Sequence, residues 1–140
     1  MRIVLDNNVF ISGIFWKGIP HQIIKLAEEN RFEIATTIEI LEELFGVLKR
    51  GKFKPLFKEG KTTLEEVSER ILELVRIYSP KVKVKVITED PEDNKFLACA
   101  ISCQASFIVS GDGHLLKLKK FRDIPIVPPK EFLKIIKKSK

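Results

Sequence analysis

Soft metal ligands are scarce in this sequence, and so are long apolar runs. It holds 2 cysteines and 2 histidines among 140 residues. Cys99 and Cys103 stand four apart on an expected helix with no Cys-His cluster around them, so they read as reduced core residues and offer no zinc site. His21 and His114 are far apart, and neither has a spacing that suggests a metal pair; both read as structural or incidental. Apolar runs such as Ile3-Val4-Leu5 fall far short of the ~20 residues a membrane span requires. Arg2 is followed by that short run and then by Asp6, which leaves no n-region or h-region for a secretory signal. A cytoplasmic protein without a membrane segment is expected. The chain also lacks internal repeats, linkers and low-complexity stretches.

What is present fits one folded domain over residues 1–140. Hydrophobic residues make up 44% and charged residues 31%, a balance found in globular chains and not in disordered ones. Lys and Arg number 25 against 19 Asp and Glu, a net charge of +6 that favours a polyanionic partner such as nucleic acid. Much of the surplus lies in the tail, at Lys130, Lys134, Lys137, Lys138 and Lys140, where lysines also serve as solvated helix ends. The abundance of Lys and Glu beside a single Met resembles a thermophile surface.

The pattern alternates strands with helices. Arg2 to Leu5 predicts a buried strand ended by the polar turn Asp6-Asn7-Asn8. After a loop around Gly13, Gly18 and Pro20, Ile23, Ile24, Leu26 and Ala27 predict a helix to Asn30, and Phe32 to Ala35 a second strand. Thr36 with Glu39 reads as a capping box for a helix striped by Ile38, Leu41, Leu44, Phe45 and Leu48. Gly51 to Gly60 reads as a loop. Leu64, Val67, Ile71, Leu74, Val75 and Tyr78 predict a further helix, ended before Pro80. The alternating Lys and Val of 81–86 predict a strand with one wet face, guarded as an edge by its lysines. A helix opened by Asp90-Pro91, strands at Phe107 to Val109 and Ile124 to Val127, and a last helix from near Pro129 complete the chain. Crossovers of this length imply a parallel sheet covered on both faces, the α/β class.

Acidic residues gather at one rim of such a sheet. Asp6 follows the first strand, Asp112 in Ser110-Gly111-Asp112-Gly113 follows the strand at Phe107 to Val109, and Asp93 sits in the first turn of its helix. Ligands in these sheets bind beyond the carboxyl ends of the strands, where the winding reverses. Each residue also has a plain structural use: a turn former after a strand, a helix-dipole partner, an Asp-Gly turn. On the Thr37 helix, Glu42 and Glu43 border the apolar stripe on opposite sides, and periodicity does not choose between them.

Asp6-Asn7-Asn8-Val9, Thr37 with Glu43, Asp90-Pro91-Glu92-Asp93, and Ser110-Gly111-Asp112 with Leu115-Leu116 together resemble the PIN-domain family in order and spacing, over nearly the whole chain. The likeness is greatest to the branch of toxins from toxin–antitoxin pairs, relatives of VapC-type ribonucleases. The resemblance implies a three-layer α/β/α sandwich on a five-stranded parallel sheet, with the Lys-Val strand at one edge. It implies an acidic set of Asp6, Glu43, Asp93 and Asp112, so selecting Glu43 over Glu42, with Asn8, Asp90 and Ser110 in support. It further implies an RNA substrate, an antitoxin partner and a homodimer. Asn7 and Ser110 stand where many members carry Thr.

Crowded carboxylates repel one another unless a cation joins them. An oxygen-only donor set favours Mg²⁺ or Mn²⁺, and either ion would activate water for phosphodiester hydrolysis. In that scheme Asp6, Asp93 and Asp112 are the expected direct or water-mediated ligands, and Glu43 orients the attacking water. Phe15 and Trp16 suit base stacking on a single strand, although core or dimer packing explains them more readily. A DNA nuclease using the same pocket and a non-catalytic binding module are the alternatives. A haloacid dehalogenase-type phosphatase is disfavoured, because Asp6-Asn7-Asn8 lacks its second Asp.

Overall fold

The computed structural model describes residues 1–58, 62–80 and 91–138. Their core is a sheet of β1 (Arg2–Leu5), β2 (Glu33–Thr36), β3 (Val75–Ile77), β4 (Phe107–Val109), β5 (Lys120–Phe121) and β6 (Ile124–Val127), in the order β3-β2-β1-β4-β6-β5. All neighbouring pairs are parallel except the β5–β6 hairpin. The expected five parallel strands therefore gain a sixth, antiparallel one. Its connection, Arg122-Asp123, has both residues at positive φ (46° and 70°), as a tight two-residue hairpin turn requires. Neither residue is the Asn or Gly that normally announces such a turn.

Alternation along the strands divides the interior in two. Ile3, Leu5, Ile34, Val109 and Val127 face one core; Val4, Ala35, Ile108 and Ile126 face the other. The first core is covered by α1 (Asn7–Phe15), α2 (Ile19–Glu28), α3 (Ile38–Leu48), α5 (Leu64–Leu74) and α8 (Pro129–Lys138), and the second chiefly by α6 (Asn94–Cys103) and α7 (Gly113–Leu116). The short α4 (Lys54–Lys58) follows a 3-10 turn at Gly51–Phe53. The architecture is the three-layer α/β/α sandwich. Among the described residues, no helix is long and apolar enough to cross a membrane.

Several local expectations are corrected. Helix α1 begins directly after β1, where a loop was expected, with the Asp6 side chain accepting from Val9 N at 2.8 Å. Gly13 on α1 permits close packing on α2, since a Cβ there would lie 2.5 Å from Ile24 and 2.7 Å from the Pro20 carbonyl oxygen. The N-cap of α3 is Thr37, accepting from Ile40 N; Thr36 ends β2. The predicted helix through Val75 and Tyr78 stops at Leu74, and Val75–Ile77 joins β2 as a parallel strand. Helical and strand periods coincide over this stretch, because Val75 and Tyr78 extend the stripe of Ile71 and Leu74. Part of the expected Gly51–Gly60 loop is helical, at Lys54–Lys58. The Lys-Val strand at 81–86 and Asp90 lie outside the described residues; among those described, β3 forms that edge.

Candidate active site

Strand order runs outward from β1 through β2 to β3 in one direction and from β4 to β6 in the other. The reversal falls between β1 and β4, whose ends meet at Leu5 and Val109. Side chains just past these two residues flank the crevice this topology leaves for ligands.

Asp6 stands at that point and is 5% exposed. Its Oδ1 receives Val9 N, and its Oδ2 receives both the Ser110 hydroxyl and Gly111 N at 3.2 Å. One carboxylate thereby joins the start of α1 to the loop after β4. Burial pushes its pKa up; the bonds from Ser110, Val9 and Gly111 oppose this, and the charge of Asp112 adds to it. Ser110 is fully buried, and its oxygen also accepts from Asp112 N at 2.9 Å.

Asp112 caps α7 through His114 N at 2.7 Å. Asp93 closes a 3-10 turn, Pro91–Asp93, and is the N-cap of α6, yet its side chain makes no capping hydrogen bond and is 4% exposed. Asp93, Asp112 and His114 each offer a ligand atom, and these atoms all lie within 4.8 Å of one another. His114, read from sequence as structural or incidental, thus joins two of the expected acids. Nothing in its spacing announced it; it enters because α7 is a single short turn that begins on Asp112.

Glu43, on α3, and Asp6 are not part of this group of three; Glu43 instead meets Asn7, the neighbour of Asp6, and Lys95, two positions past Asp93. Its Oε1 accepts from Asn7 Nδ2 at 3.3 Å, and its Oε2 forms a close ion pair with Lys95 Nζ. Glu42 is exposed. Burial lowers the Lys95 pKa, and the charge of Glu39 opposes that shift. Asn8 is exposed and, with Val9, Ser12, Pro20, Gly111 and Asp112, lines a groove of about 280 Å³. A larger groove, about 700 Å³, lies at the opposite end of the strands among residues such as Arg2, Glu33 and Arg76, away from the carboxylates.

The donor chemistry fits a divalent cation. Two carboxylates and an imidazole converge, and the carboxylate oxygens suit Mg²⁺ or Mn²⁺. The imidazole departs from the oxygen-only set expected and moves the preference from Mg²⁺ toward a transition ion. Buried amide oxygens of Asn7 and Asn94, each next to an aspartate of the site, have no hydrogen-bond partner among the described residues. Such atoms are rare unless an ion or water completes them.

A doubly wound α/β domain with an acidic, metal-compatible crevice at its switch point is what fold and site define. The sequence matches the PIN-domain family over residues 2–114, and the chain belongs to that family, whose members are generally nucleases. Among solved structures, a chain in the crystal structure of VapBC2 from Rickettsia felis bound to a DNA fragment from its promoter matches with a TM-score of 0.61. Sequence identity is 17%, over 91% of this chain and 98% of that one, a likeness in fold. No curated protein sequence matches the chain significantly.

Proposed function

We propose that this PIN domain is a metal-dependent endoribonuclease and the toxin of a toxin–antitoxin pair, acting in the cytoplasm as a homodimer. The observation that carries the reading is the convergence of Asp93, Asp112 and His114 within 4.8 Å at the switch point of the sheet. Asp93 and Asp112, with His114, would hold Mn²⁺ or Mg²⁺. Asp6 braces the site from behind and contributes its negative charge, and Glu43 orients the attacking water. A divalent cation at this place supplies charge neutralisation on the phosphate and activation of a water for attack. Asn8, at the groove beside Asp112, is suited to grip a substrate phosphate; Ser110 holds Asp6, and Asp90 is assigned a supporting role from the family pattern. The antitoxin partner is supported by the fold likeness to a chain of the VapBC2 complex.

The test compares cleavage of single-stranded RNA and of a matched DNA strand by wild type and Asp93→Asn, with Mn²⁺, with Mg²⁺ and with chelator. RNA cleavage that requires the ion and falls at least about a hundredfold in the variant is expected, as for loss of a group central to the chemistry. Equal cleavage by both proteins would refute the site. Preference for DNA would support a DNA nuclease instead, and metal binding without cleavage of either strand would support a binding module. RNA binding should also weaken steeply with salt, since phosphate contacts release counterions.

A further inference from the structure

Lys95 lies two positions beyond Asp93 on α6, and its side chain is only 6% exposed. An ammonium withdrawn from water is unfavourable unless fixed charges surround it. Here Nζ pairs directly with Glu43 Oε2 and reaches Glu92 Oε2 at 2.8 Å. The Phe96 ring centroid stands 5.8 Å away. The second Glu43 oxygen is engaged by Asn7 Nδ2. Donors of the chain thus occupy both oxygens of Glu43, while Asp93, Asp112 and His114 make a compact donor group without it.

We propose that Lys95 is a built-in cation of this site: its ammonium positions Glu43 and fills the place of a second divalent ion, so that each chain binds one metal ion. The inference rests on the nuclease reading of the same crevice. Geometry favours it. Glu43 Oε2 is held by Lys95 and Oε1 by Asn7, so a second divalent ion on Glu43 would have to displace Lys95. Lys95 is therefore a positioning residue: it acts through Glu43 and from a buried place, not by touching substrate.

The experiment titrates the full chain with Mn²⁺ and counts free ion by its paramagnetic resonance signal, with circular dichroism confirming the fold of each variant. Wild type should take up one Mn²⁺ per chain. Lys95→Gln should take up a second, which disappears again in the Lys95→Gln, Glu43→Gln double variant, and Lys95→Arg should remain at one. Two ions on wild type, or an unchanged single ion on Lys95→Gln, would overturn the assignment of Lys95 while leaving the nuclease reading intact. No uptake by wild type would overturn both. If Lys95→Gln does not fold, Glu43→Gln alone decides: it should keep the single ion with affinity within about twofold, and loss of that ion would make Glu43 a ligand and end the proposal.

Discussion

Replacing Asp112 by Asn should move stability in opposite directions with and without metal. The charged ligand atoms of Asp93 and Asp112 lie within 4.8 Å. Two unit charges at that distance repel by about 3 kcal/mol at an effective dielectric near 20 and by about 1 kcal/mol at that of water. The Asp112 side chain is 30% exposed, so the lower figure applies best. Asn keeps the Oδ1 that caps α7 through His114 N, so the cap survives the change. In chelator the variant should melt about 3 °C above wild type, given about 2–8 °C per kcal/mol for domains near this size. Mn²⁺ should then stabilise wild type by about 2.7 kcal/mol at a hundredfold excess over its dissociation constant, and the variant little or not at all. Differential scanning fluorimetry with and without Mn²⁺ reads both effects. A variant that melts lower in chelator, yet gains as much from Mn²⁺ as wild type, would refute both the crowding and the ligand assignment.

Three further outcomes follow from particular contacts. The raised pKa of Asp6 means the folded chain keeps this proton at a pH where the unfolded chain has shed it. Its stabilising contribution is complete below the ordinary aspartate range near ~3.9 and is lost as pH rises through the folded value. Urea unfolding in chelator at stepped pH should show this decline in wild type and not in Asp6→Asn, and identical profiles would contradict it. Gly13→Ala forces a methyl group against Ile24 and the Pro20 carbonyl and should destabilise by about 1–3 kcal/mol, seen as a lower urea midpoint at unchanged slope. Asp123→Gly relieves a residue at φ 70° and should stabilise by about 1 kcal/mol, raising the melting temperature by a few degrees without altering metal uptake.

Legibility in the sequence differed from element to element for physical reasons. β1, β2, β4 and β6 were visible as short apolar runs, because strands buried on both faces carry little else. α3 was visible by its stripe, and α6 and α8 by the prolines near their starts. α1 was hidden because Asn7, Val9, Phe10, Ile11 and Gly13 are all buried, leaving only the narrow polar strip of Asn8 and Ser12, too little to mark a period. β3 was hidden inside a helical pattern, and β5 behind a turn lacking Gly and Asn. At the site, Asp6, Asp93 and Asp112 were nameable because strand ends and a helix start place them at one rim. Glu43 needed the family resemblance to separate it from Glu42; in the structure Glu43 contacts Asn7 and Lys95, while Glu42 is exposed. His114 and Lys95 were not nameable: their roles depend on which side chain each meets across the fold.

The bonds from Val9, Ser110 and Gly111 to one carboxylate bear on how relatives should be judged. An acid that fastens the first helix to the loop after β4 serves the architecture whether or not any chemistry takes place. A domain of this type that has lost its activity would retain aspartate there for the sake of its own assembly. Its presence in a relative therefore speaks for a shared framework before it speaks for a shared reaction.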